Sequence, residues 1–174
     1  MKINWFPGHM TKALRELKAE VKNVDAIIYV LDARAPLASL NPELDKLAEN
    51  RPVLFILNKI DLADKGKIDK LLQDEVLKKK YSNSSVIKLN ATASGALKIV
   101  LAELTTLCAS KIIRFEQKGL NSYIRAMVVG IPNSGKSTLV NNLCGRAKAL
   151  TGNKAGVTRG KQWLTVGNGF QILD

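Results

Sequence analysis

Gly130-Ile131-Pro132-Asn133-Ser134-Gly135-Lys136-Ser137 fits G-x-x-x-x-G-K-[ST], and no other feature of the chain restricts its fold as tightly. Such a loop works only where a buried strand feeds a helix, because its backbone N–H groups must converge while the helix N-terminus adds positive potential. The flanks meet that demand. Ile124 to Val129 is an apolar run broken only by Arg125, and a helix beginning inside the loop extends to about Leu143.

The rest of the chain repeats the alternation. Met10, Ala13, Leu14, Leu17, Val21 and Val24 recur at three- and four-residue spacing, predicting a first helix over about 10–22. Ala26 to Leu31, ending at Asp32, and Val53 to Leu57 are short continuous apolar runs, the pattern of strands buried on both faces. Asn41-Pro42-Glu43 predicts an N-cap, a first-turn proline and an acid, opening a short helix to about Asn50. Further expectations are a helix over 68–80, a strand over 86–89, a helix over 96–110, and a hairpin joining Trp163–Val166 to Phe170–Leu173 through Gly167-Asn168-Gly169. The expected fold class is α/β, a mostly parallel sheet flanked by helices, with residues 1–174 forming one domain.

Charge and composition narrow the partners. Lys+Arg number 27 against 15 Asp+Glu, a net +12 with pI near 9.8, so nucleic acid is the leading partner class. No helix-turn-helix or zinc signature accompanies it, which argues against a sequence-specific DNA binder. No apolar run approaches the roughly 20 residues of a membrane span, and the N-terminus lacks the pattern of a signal peptide. Cys108 and Cys144, the only cysteines, have no metal or disulfide spacing. A cytoplasmic monomer is expected.

A phosphate-binding loop does not choose a base. Asn58-Lys59-Ile60-Asp61, directly after the second strand, is N-K-x-D. Asp61 can accept both N–H groups on one edge of guanine, a contact adenine cannot match. Asn58 would brace the loop and meet the base, while the stem of Lys59 packs over its face. After the third strand, Asn90-Ala91 opens a loop that could offer the Ala91 N–H to the guanine oxygen. In the phosphate loop, Asn133, Ser134, Gly135, Lys136, Ser137 and Thr138 would surround the phosphates, with Lys136 on the outer ones and the Ser137 hydroxyl on Mg2+. Thr158, in Gly156-Val157-Thr158, could reach the metal and sense a γ-phosphate, and Asp174 could hold Mg2+ through water. The alternatives are a solvated loop threonine for Thr158, a polar turn after a strand for N-K-x-D and an ordinary glycine-rich strand-helix turn for the phosphate loop. Base recognition precedes the phosphate loop along the chain, a circular permutation of the Ras-like order that leaves the ligand-binding edge of the sheet intact.

With Trp5-Phe6-Pro7-Gly8-His9-Met10, Asp32-Ala33-Arg34-Ala35-Pro36 and Gln162-Trp163 also in order, the chain resembles the circularly permuted ribosome-assembly GTPases, specifically the YlqF/RbgA family. The resemblance implies a permuted P-loop GTPase fold that binds GTP/GDP and Mg2+ and acts late in assembly of the large ribosomal subunit, with rRNA as target of the basic charge. It implies that Asn133 matches an asparagine that helps hold K+ in potassium-activated relatives; the alternative is a residue tolerated in a tight loop. His9 becomes a candidate, with Lys136 and Thr158, for the catalytic set as the group that positions water; a structural or RNA-contacting role is the alternative. Ala155 and Asn90 depart from the proline and serine usual there. Asp174 stands where an Asp-Thr-Pro-Gly motif would open, with a helical RNA-binding domain expected after it. Two functions stay open: a GTP hydrolase gating ribosome docking, and a GTP-dependent RNA-binding module with negligible hydrolysis.

Overall fold

The computed structural model describes residues 8–145 and 163–173. Six strands form one sheet in the order β3-β2-β1-β4-β6-β5, from β1 (Ala26–Asp32), β2 (Val53–Asn58), β3 (Ser84–Lys88), β4 (Ile124–Val129), β5 (Trp163–Val166) and β6 (Phe170–Leu173). Every pairing is parallel except the β5–β6 hairpin. Parallel strands need covered faces, and the continuous apolar runs provide them: β2 is buried along its whole length and β1 up to Leu31.

Alternation then sorts side chains to two faces. Ile28, Val30, Leu54, Ile56, Ala126 and Val128 pack beneath α5 (Ala96–Leu107) and α7 (Lys136–Cys144). Ile27, Tyr29, Leu31, Phe55 and Leu57 pack on the other side against α2 (Pro42–Ala48), α3 (Lys65–Gln73) and α4 (Val76–Lys80), with Leu14 and Leu17 of α1 (Gly8–Glu20) covering part of that face. Tyr29 and Phe55 stack there at 5.6 Å between ring centroids. Full burial of side chains of this size stabilises by roughly 1.5–3 kcal/mol each. The Asn41 cap forms as its sequence predicts, its side chain accepting from the Glu43 N–H at 2.9 Å.

Several boundaries differ from expectation for identifiable reasons. The helix predicted over 68–80 is two, α3 and α4, broken where Glu75 adopts φ 52°. Continuing the stripe of Ile68, Leu71 and Leu72 would place Glu75 and Lys79 inward; the break resets the phase so that Leu77 is buried instead. The helix over 96–110 ends at Leu107, and a further helix, α6 (Ala109–Gln117), turns away at Cys108. Half-buried Ile112 and Phe115 anchor α6 to the core, and Lys111 pairs with Asp25. The third strand begins at Ser84, because Ser84 and Ser85 pair with Val53 and Leu54.

Candidate nucleotide-binding site

β1, β2, β3 and β4 end on one edge of the sheet, and the described motif residues leave from it. Asn58 closes β2 and is 3% exposed. A buried primary amide must spend its donors and acceptor, and this one bridges two loops. Asn58 Nδ2 donates to the Ser134 carbonyl at 2.9 Å, and its Oδ1 accepts the Ala91 N–H at 2.9 Å. Asn142 on α7 completes the tie, its Nδ2 donating to the Ala91 carbonyl at 2.7 Å and the Ala93 carbonyl at 3.0 Å. The N-K-x-D turn, the Asn90 loop and the phosphate loop are therefore one hydrogen-bonded unit. The Ala91 N–H expected at the guanine oxygen is engaged by Asn58, while the Asn90 side chain accepts from the Thr92 N–H at 3.0 Å to shape the loop.

Lys59 adopts φ 61°, a left-handed conformation that costs a non-glycine residue about 1–2 kcal/mol. That turn sends its ammonium back across the edge, where Nζ donates to the Asn133 carbonyl and to Asp32 Oδ2 at 3.0 Å. Asp32, at the end of β1, also accepts from Arg34 through the backbone N–H (3.0 Å), Nε (3.0 Å) and Nη2 (2.7 Å). The Arg34 contact leads in holding the Asp32 carboxyl far below the usual carboxylate range; partial desolvation opposes it and Lys59 adds to it. Beyond Lys59 the chain exposes Asp61, whose carboxylate has no ion-pair or hydrogen-bond partner among the described residues.

Two glycines are sterically required. A Cβ at Gly130 would lie 2.5 Å from the Val30 carbonyl oxygen, and one at Gly135, where φ is 94°, would run into the Asn58 amide. Gly135 precedes the first turn of α7, which carries Lys136, Ser137 and Thr138 with both hydroxyl residues exposed. First-turn amides have no intrahelical acceptor, so the loop presents donors to an anion. Lys136 Nζ donates to the Ile131 carbonyl at 3.2 Å, folded over the loop. Ser134 is 1% exposed, and its Oγ has no partner among the described residues.

Asn58, Lys59, Asp61, Asn90, Ala91, Asn133, Ser134, Gly135, Lys136, Ser137 and Thr138 thus share one edge. Thr158 and Asp174 lie outside the described residues, as does the side chain of His9, whose backbone belongs to α1. Asp32 and Asn142 escaped functional assignment from sequence. Asp32 stands out there as the acid closing a buried strand and opening the Asp32-Ala33-Arg34-Ala35-Pro36 stretch, with no role attached, and Asn142 as a polar residue in an otherwise ordinary helix.

A parallel sheet with a glycine-rich phosphate loop locked to an N-K-x-D turn defines the class: a P-loop GTPase fold. A model of "50S ribosome-binding GTPase" matches residues 125–174. The whole chain aligns at 41% identity with the ribosome biogenesis GTPase A of Bacillus cereus, covering 58% of that protein. With its Thermotoga maritima counterpart, 99% of the chain aligns at 33% identity, covering 57%. The crystal structure of GNP-bound YlqF from T. maritima superposes with a TM-score of 0.62 at 28% identity, over 93% of this chain and 56% of that one. Over its whole length the chain is similar to the ribosome biogenesis GTPase A (YlqF/RbgA) proteins, and it spans a little under three-fifths of the length of these relatives.

Proposed function

We propose that the protein binds GTP and GDP with Mg2+ and hydrolyses GTP during late assembly of the large ribosomal subunit, nucleotide state gating its docking on the particle or its rRNA. The observation that carries this reading is the Asn58 bridge, which seats a guanine-selective turn and a phosphate loop against each other in one rigid unit. In it, the free Asp61 carboxylate takes the two N–H groups of guanine, and Lys59 stays fixed alongside the base by Asp32 and Asn133. Ala91 and Asn90 border the guanine oxygen. Backbone donors from Asn133 to Thr138 hold the phosphates, and Lys136 moves from the Ile131 carbonyl to neutralise charge that develops as the γ-phosphate leaves.

The first-turn N–H groups of α7, without intrahelical acceptors, fit a polyphosphate, and the exposed Ser137 hydroxyl fits a hard cation. Ser137, with Thr158 and Asp174, would hold Mg2+, which supplies charge neutralisation at the phosphates. Asn133 is the candidate for K+ and His9 for positioning water. We assign the protein to the cytoplasm as a monomer; no helix among the described residues is long and apolar enough to cross a membrane.

Titration with fluorescent GDP and ADP tests the site: saturable GDP binding that ADP lacks and Asp61→Asn loses is expected, and equal binding of both overturns the base assignment. Multiple-turnover GTP hydrolysis with and without large subunits tests the reaction. Stimulation by subunits is expected, and its absence would leave a nucleotide-dependent RNA-binding module.

A further inference from the structure

The basic excess is not spread evenly. Residues 1–75 carry twelve Lys+Arg against twelve Asp+Glu, and residues 76–174 carry fifteen against three, so the whole net +12 belongs to the second part. The helices α1, α2 and α3, on one face of the sheet, lie in the balanced part. The charge that would attract a polyanion therefore comes from residues 76–174 rather than from 1–75.

Within that part, one stretch is both basic and uncommitted. α6 follows α5 at Cys108 and spans the edge where strands begin: Asn83, just before β3, donates to the Leu107 carbonyl at 3.2 Å, and Lys111 pairs with Asp25, just before β1. The other oxygen of Asp25 accepts the Arg125 N–H at 2.9 Å at the start of β4, so one carboxylate fastens α6 beside that strand. Lys111, Arg114 and Lys118 fall at i, i+3 and i+7, one helical side. Arg114 and Lys118 are exposed and have no carboxylate partner among the described residues. Glu116, the only acid from Lys111 to Arg125, is two residues from each and off their side.

The chain then passes through exposed Leu120, Asn121 and Ser122 to Tyr123, 45% exposed. Tyr123 and Arg125 are exposed while Ile124 between them is buried, so the phenol and the guanidinium emerge on one side. Arg125 lies over the Trp163 ring at 5.4 Å and its Nε donates to Gln171 Oε1 at 3.3 Å, which fixes an exposed cation at this edge. An exposed ring with exposed cations before it (Arg114, Lys118) and after it (Arg125) along the chain suits a stacked base between held phosphates. This surface lies a strand's length, roughly 20 Å, from the nucleotide edge.

We propose that α6, the 118–123 connection and the entrance to β4 form a docking surface for single-stranded RNA, with a base on Tyr123 and phosphates on Arg114, Lys118 and Arg125. The proposal rests on the reading of RNA as partner.

The test is anisotropy of the full chain with a labelled mixed-sequence RNA of about 12 nucleotides across a salt series. Arg114→Gln with Lys118→Gln should lower the salt slope by about 1.4, two phosphate contacts at about 0.7 each. Tyr123→Ala should weaken binding about tenfold and Tyr123→Phe hardly at all. Lys65→Gln with Lys70→Gln on α3 removes the same charge and should change affinity less than about twofold. GDP titration should be the same for all variants, which reports an intact fold. Equal losses from the α3 pair, or a Tyr123→Phe loss equal to that of Tyr123→Ala, would overturn the surface while leaving RNA as partner. Wild type that binds large subunits but no RNA would overturn the RNA reading itself and point to a ribosomal protein.

Discussion

Removing the Asn58 side chain should do more damage than its size suggests. Asn58→Ala takes a donor from the Ser134 carbonyl and an acceptor from the Ala91 N–H, in residues 1% and 3% exposed. A buried polar group left without a partner costs about 1–3 kcal/mol, so the two together cost about 2–6 kcal/mol. For a domain of this size 1 kcal/mol lowers the melting temperature by roughly 2–4 °C, and the middle of the range, about 4 kcal/mol, corresponds to a fall of about 8–16 °C. Asn58→Asp is the sharper companion. It keeps an acceptor for Ala91 but turns a carboxylate oxygen toward the Ser134 carbonyl, two acceptors with no proton between them. Its carboxyl pKa should rise in the folded state, so the variant should be weakest at neutral pH and recover as acid supplies the proton. Thermal and denaturant melts at pH 7 and pH 5 read both effects, and GDP titration reads whether the two loops still share one site. A melting temperature for Asn58→Ala within about 2 °C of wild type would refute the argument, because other contacts would then be holding the loops.

Ser134→Ala should stabilise the fold by about 1 kcal/mol by deleting a buried hydroxyl without a partner, seen as a higher denaturant midpoint; a loss instead would reveal a partner for Oγ. Gly135→Ala should abolish nucleotide binding and destabilise the domain, since its Cβ meets the Asn58 amide at φ 94°; near-wild-type GDP affinity would contradict the packing. Asp32 has a depressed folded-state pKa, so the stability it contributes is present above its unfolded value near 3.9 and is lost as pH falls toward the folded value. The stability gap between wild type and Asp32→Asn should therefore be widest at pH 7 and shrink below about pH 4; a gap independent of pH would count against the ion-paired arrangement. The Cys108 thiol, pushed up to about 11 by burial with Asp25 adding to it, should resist alkylation at pH 8 until the protein unfolds, and rapid labelling of folded protein at Cys108 would contradict this burial.

What could be read before folding was whatever one segment dictates alone. Continuous apolar runs are strands because only strands that short can bury both sides, and the glycine-rich loop carries its strand and helix with it. Misreadings came where distant residues decide. Nothing local between Gln73 and Val76 announces a helix break; it follows from Leu77 needing the core face. The residues 109–117 are a helix because Asp25, far away in sequence, offers a partner to Lys111, and because Ile112 and Phe115 find the core. In the candidate site, the residue types of N-K-x-D announce base contact and a brace at Asn58, yet not the partners that Asn58 and Lys59 tie to, which are Ser134, Ala91, Asn133 and Asp32. Those partners are set by the order of strands in the sheet, which no single segment encodes.

The span of the Asn58 to Ser134 bond, 76 positions, has a consequence for a chain emerging from a ribosome. At about 5–20 residues per second, the guanine turn exists for roughly 4–15 s before the phosphate loop is made. For that interval β1, β2 and β3 can associate, but Asn58 has an amide with half its bonds open and there is nothing to hold a nucleotide. The bridge then closes when β4 inserts beside β1, the phosphate loop delivering Ser134 and α7 delivering Asn142. On the proposed reading, a nucleotide present once β6 has also paired with β4 would capture the domain by mass action, so the cell's nucleotide pool would itself select folded copies over arrested ones.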